Sequence, residues 1–133
     1  MEDKTITGFL VVFTLILALA LTGCGREKKK TMRLEKFDSE TWIADKNGCS
    51  GTRLSMKNQI LLLKYDMRGL KTDEIESYLG HPDAQELYDR SQRYYIYLIE
   101  PGSKCPNAKE NPQALFVRFS AVGIANEFTI KPM

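Results

Sequence analysis

Residues 5–23 carry no charged side chain, and residues 9–21 are apolar apart from Thr14. A run this long and this apolar cannot lie on the surface of a small water-soluble globule. It therefore divides the chain before any fold is considered. Lys4 and the amino terminus put positive charge ahead of it, partly offset by Glu2 and Asp3, and Leu21-Thr22-Gly23-Cys24 closes it with small residues. These are the three parts of a secretory signal. Of the 19 basic and 17 acidic side chains, only Glu2, Asp3 and Lys4 precede Cys24, so all other charge lies beyond that cysteine.

The Leu-x-Gly-Cys ending looks like a bacterial lipobox, in which a diacylglycerol is attached to the cysteine sulfur and cleavage leaves that cysteine first. On this reading residues 1–23 are the signal peptide and Cys24 carries a thioether lipid, with a further acyl chain such as palmitate on its amine. Each buried CH₂ of a lipid chain contributes about 0.8 kcal/mol, so one chain holds marginally and two or three hold durably. The competing reading is an uncleaved membrane anchor, with Lys28, Lys29 and Lys30 as its basic flank; the positive-inside rule would then leave the carboxyl end in the cytoplasm. The short apolar core at 9–21 suits a signal better than a span.

Residues 25–36 set Arg26, Glu27, Lys28, Lys29, Lys30, Arg33, Glu35 and Lys36 against only Met32 and Leu34. That composition reads as a flexible charged tether from 24 to 36, ahead of one domain at 37–133. Gly25 stands where an aspartate would signal inner-membrane retention in some Gram-negative bacteria, which favours the outer membrane, facing the periplasm. The mild excess of basic charge is no argument for a nucleic-acid partner.

In the domain, Asp45-Lys46-Asn47-Gly48 is a turn signal. Met56, Ile60, Leu63 and Met67 then fall on one face of a helix that Ser55 is expected to cap and Gly69 to end. Leu61, Leu62 and Tyr65 widen the apolar stripe and predict packing on more than one side. A second, two-turn helix is expected with Thr72 as N-cap, Ile75, Tyr78 and Leu79 on one face, Gly80 closing it and Pro82 preventing continuation. From Tyr94 the period becomes two. Tyr94, Ile96 and Leu98 alternate with Tyr95, Tyr97 and Ile99, so neither face of that strand is polar. Residues 103–112 are loop. A strand is expected over 115–119, then a tight turn with Gly123 in the left-handed region. The last strand has Ile124, Phe128 and Ile130 inward, Asn126 as the odd member, and Ala125, Glu127 and Thr129 outward. A weaker strand is expected over 86–89. The fold class is thus α+β, two N-terminal helices packed in two layers on a three-to-four-stranded antiparallel sheet. Tyr95 and Tyr97 are expected on the sheet's open face, forming with Arg118 a candidate binding surface.

Gly69-Leu70-Lys71-Thr72-Asp73-Glu74-Ile75 followed by Leu79-Gly80-His81-Pro82, then the strands at 94–98 and 115–119, Gly123 and Ile130, resemble the SmpA/OmlA (BamE-type) lipoprotein domain over residues 55–130. The resemblance implies two helices on a three-stranded antiparallel sheet behind a lipobox, a fold unit that also occurs in beta-lactamase inhibitor proteins. It implies an accessory role in outer-membrane protein assembly. The segment 37–53 and the paired cysteines depart from that pattern, and no partner-binding residue carries over.

With Cys24 committed to lipid, Cys49 and Cys105 form an even pair outside the cytoplasm and are expected to be joined as a disulfide, against the alternative of two free thiols. There is no Cys-x-x-Cys for redox catalysis. His81 is the single histidine, which leaves too few ligands for a metal centre, and no cofactor motif is present. Asp73, Glu74 and Glu76 read as a solvated helix surface. The expectation is a non-enzymatic binding or scaffold lipoprotein of the cell envelope with an envelope protein as partner. The alternative is a small envelope hydrolase or enzyme inhibitor, which requires a pocket around His81, Asp83 and Arg118.

Overall fold

The computed structural model describes residues 32–133. The expected signal, Cys24 and the tether up to residue 31 lie outside the described residues. The order is α1 (Met32–Glu35), α2 (Ser39–Ala44), a 3₁₀ turn (Lys46–Gly48), α3 (Thr52–Ser55), α4 (Lys57–Met67), α5 (Thr72–Leu79), β1 (Ala84–Tyr88), β2 (Gln92–Leu98), β3 (Gln113–Phe119) and β4 (Ala125–Pro132). The fold is α+β, and the strands form one antiparallel meander in the order β1-β2-β3-β4. Three short helices thus precede the pair expected from the sequence. The weak strand at 86–89 is a full partner of β2, running from Ala84 opposite Ile96 to Tyr88 opposite Gln92.

The expected tether is shorter than its composition implies. Arg33 pairs with Asp66 across 3.1 Å, and Leu34 and Phe37 are buried with Trp42 in the main core. Residues too polar to order themselves are ordered here by the helix they meet. Burying one leucine contributes on the order of 2 kcal/mol.

Local chemistry sets the helix ends. Asp38 caps α2 by accepting the Thr41 N–H at 3.0 Å; that bond and the one from the Thr41 hydroxyl lower its pKa. α5 begins one residue earlier than Thr72 suggests as a cap. Lys71 is the N-cap residue, and its N–H donates to Glu74 Oε2 at 2.7 Å. Glu74 therefore occupies N3 and supplies one arm of a capping box. Gly80, at φ 73, closes the helix.

The α4–α5 link is hydrogen-bonded to the β3–β4 turn. The Gly69 N–H donates to Ala125 O at 2.7 Å, and the Ala125 N–H to Leu70 O at 2.9 Å. Together these fix the helix pair against the sheet end. Along β4 the register slips between Arg118 and Phe119, leaving Asn126 between the paired residues Ala125 and Glu127. The slip turns Ala125 into the core beside Phe128, correcting the expectation that it faces out, while Asn126 points to solvent.

The main core joins Ile60, Leu63 and Met67 of α4 and Ile75 and Leu79 of α5 to Tyr95, Tyr97, Leu115, Val117, Phe119 and Phe128 of the sheet. A second, smaller cluster lies on the other sheet face: Ile96, Leu98, Ala114 and Phe116.

Candidate functional site

The loop over 99–112 and the segment ahead of α3 are built as one unit. Cys49 and Cys105 are disulfide-bonded, 56 residues apart in sequence. The Gly102 N–H donates to Asn47 O at 3.1 Å. Gly48 sits against the strand end so closely that an added Cβ would lie 2.7 Å from Glu100 O, and its φ is +66°. No other residue type fits there without backbone movement.

Beneath this unit lies a buried charge cluster. Arg53 and the side chain of Asp83 are each 1% exposed and form an ion pair at 2.5 Å. Arg53 Nε also donates to Trp42 O at 3.0 Å and Nη1 to Leu98 O at 3.1 Å. Its guanidinium lies 5.1 Å from the centre of the Trp42 ring. Asp83 accepts the N–H groups of Asn47 at 3.1 Å and Leu98 at 2.8 Å. One arginine therefore connects α2, the start of β1 and the end of β2. Asp45 is buried beside it and accepts the N–H groups of Ser50 at 2.8 Å and Arg53 at 2.9 Å. Burial opposes the ionised form of Asp45, but those N–H bonds and the Arg53 charge outweigh it, so its pKa is lowered. The charged groups here are all matched, which marks the cluster as structural, while the buried Trp42 Nε1 beside them has no hydrogen-bond partner among the described residues.

Above it, an open cleft of about 520 Å³ is lined by Asn47, Asp83, Leu98, Lys104, Lys109 and Met133, among others. His81 and Arg118 do not line it. His81 has a side chain 84% exposed and contacts Glu76 at 2.8 Å, and Asp83 faces the cleft with its carboxylate already committed to Arg53. His81, Asp83 and Arg118 are thus not gathered in one pocket. Among the described residues, no group of three or more His, Cys, Asp or Glu is placed to hold a metal ion, and no helix is long and apolar enough to cross a membrane.

The expected binding surface needs correction. Tyr95 and Tyr97 are 5% and 0% exposed. They pair across strands with Val117 and Leu115 and face the helices, not the open side. Tyr97 donates its hydroxyl to Gly80 O at 3.0 Å, tying β2 to the end of α5. Burial, followed by nearby Glu76, raises the pKa of both tyrosines. Because β2 is apolar on both faces, alternation separates its two sets of residues without saying which meets the helices.

Arg118 does lie on the opposite face, across from Tyr94 and bound to Glu127 at 2.8 Å. Tyr88, half exposed, packs edge-on to Tyr94 at 5.3 Å, and Tyr94 edge-on to Phe116 at 6.1 Å. Lys131 Nζ covers the Phe116 ring at 4.3 Å. These contacts form an aromatic stripe with an Arg–Glu pair at its side. Tyr88 sits in the weakest strand signal and Phe116 in an apolar run, so only strand order brings them together. Arg53 carries no sequence signal at all, since its partner is 30 residues away in sequence.

Comparison with family models, curated proteins and solved structures returned no match.

Proposed function

We propose that this chain is an exported lipoprotein, anchored through a diacylglycerol on Cys24 to the periplasmic side of the outer membrane. It acts there as a non-enzymatic binding or scaffold module, accessory to an envelope assembly complex. The observation that carries the binding role is the aromatic stripe Tyr88–Tyr94–Phe116, on the sheet face away from α4 and α5, with Arg118 and Glu127 beside it. Tyrosine and arginine at a surface combine rigid apolar area with directed hydrogen bonds, the composition of interface hot spots. The disulfide suits an oxidising compartment, as the export signal requires. The two-layer arrangement of a helix pair on a meander belongs to the same reading, together with the SmpA/OmlA (BamE-type) resemblance that motivates it. No cofactor, metal or nucleic acid enters this role.

The test is crosslinking in intact cells followed by identification of the attached protein, with Tyr88→Ala and Tyr94→Ala as variants. The expected result is one envelope protein captured by the parent chain and lost in both variants. Unchanged capture by the variants would remove the stripe from the interface. Mass analysis of the membrane-extracted chain reads the anchor separately, as a lipid mass on an amino-terminal Cys24.

A further inference from the structure

The apolar stripe of α4 predicts packing on more than one side, but Leu62 and Tyr65 are 57% and 63% exposed. They stand at i and i+3, so they share one face, and half-buried Leu61 adjoins Tyr65 at i+4. Lys64 holds its ammonium 5.1 Å from the Tyr65 ring, and exposed Arg68 is one turn further on. The one acidic group of this half of the helix, Asp66, is neutralised by Arg33 of α1. That contact also locates the chain's entry, because Arg33 delivers the preceding segment to the helix flank that carries Leu62, one turn before Asp66.

We propose that this α4 face is a membrane-contact surface, seating Leu62 and Tyr65 in the headgroup region of the bilayer with Lys64 and Arg68 toward anionic lipid. The proposal rests on the lipid anchor at Cys24. Only seven residues, 25–31, separate Cys24 from Met32, and an extended chain spans at most about 3.6 Å per residue step. The anchored bilayer therefore lies within roughly 30 Å of the entry point on α4. The segment between them holds Arg26, Lys28, Lys29 and Lys30 against one acid, Glu27, so the tether itself is basic. Leucine and tyrosine beside lysine and arginine are the residues that settle at an interface, apolar bodies in and polar tips toward water. A negative leaflet attracts clustered basic residues within about one Debye length. The aromatic stripe of the sheet lies on the face away from α4, so this orientation leaves it open to a protein.

The test uses the full lipidated chain in vesicles of phosphatidylethanolamine and phosphatidylglycerol that include a phospholipid brominated in its acyl chain. Tyr65→Trp introduces a reporter at the patch. Leu87→Trp places one on β1, an edge of the sheet opposite β4, beside which α4 packs. Trp42 is wholly buried and supplies a constant background. The expected result is blue-shifted emission and bromine quenching at Tyr65→Trp, with neither at Leu87→Trp. Equal responses at the two positions, or none at Tyr65→Trp, overturn the proposal while leaving the anchor intact. A chain without lipid on Cys24 overturns anchor and contact face together. Shielding of Tyr65→Trp in native envelopes but not in vesicles assigns the patch to a protein and also overturns it.

Discussion

Replacing Arg53 by methionine keeps much of the side-chain volume but removes the charge and every donor of the guanidinium. Asp83, with a side chain 1% exposed, then holds a buried carboxylate with no counter-charge. Breaking a buried pair in this way costs about 3–5 kcal/mol. Asp83 keeps the N–H groups of Asn47 and Leu98, which places its share near the low end of that range. The carbonyls of Trp42 and Leu98 lose the Arg53 donors, adding roughly 1 kcal/mol each. The expected loss is thus about 5 kcal/mol, against a total stability on the order of 5–15 kcal/mol for a small domain. Urea unfolding at pH 7 with the disulfide intact, followed by the fluorescence of Trp42, reads it directly, because that ring lies against the mutated site. Asp83→Leu alone strands the arginine, whereas the double variant removes both charges. The double variant should therefore be less destabilised than the sum of the singles by about 2–3 kcal/mol. If Arg53→Met costs less than about 1 kcal/mol, or the two changes add without coupling, Arg53 and Asp83 do not hold the segment ahead of α4 onto the sheet.

Three further outcomes can be checked the same way. Reducing the Cys49–Cys105 bond, or changing both cysteines to serine, should cost about 4 kcal/mol from the entropy of the opened loop, seen as a lower urea midpoint; an unchanged midpoint would mean that the contacts of Asn47 with Gly102 hold the loop alone. Gly48→Ala should destabilise the domain by several kcal/mol, because the new Cβ meets the Glu100 backbone at a left-handed φ. Gly51→Ala, at φ +77° but facing open space, should cost only about 1 kcal/mol, and equal costs would contradict the close approach. Asp45 has a depressed folded-state pKa, so its stabilisation is complete above the unfolded carboxylate value near 3.9 and is lost as pH falls through the folded value. Asp45→Asn should flatten that acid limb of the stability profile, and an unchanged limb would place the acid sensitivity elsewhere.

The elements of the domain are legible in the sequence wherever one periodicity dominates. The α4 stripe Ile60, Leu63 and Met67 is buried as its spacing predicts, and α5 ends at Gly80 because a left-handed residue followed by Pro82 permits nothing else. The strand pattern of β2 is equally plain, but its two faces are not distinguishable. Tyr95 and Tyr97 turn inward because Val117 and Leu115, opposite them, face α4 and α5, and that pairing is set by register across a loop. Leu62 and Tyr65 depart from the pattern for the reverse reason. An apolar residue beside a buried stripe gives no sign of whether anything covers it.

Local chemistry, segment by segment, therefore determined where the chain is apolar, that the helices α4 and α5 and the strands β2 to β4 form, and that α5 stops at Gly80. Only the tertiary structure decided which tyrosines are core and which are surface, that Leu34 belongs to the domain, and that Arg53 is buried against Asp83. Propensity, capping and turn chemistry act over a few residues and are written in neighbouring letters. Burial and charge pairing depend on which distant segments meet, and no local pattern encodes that meeting.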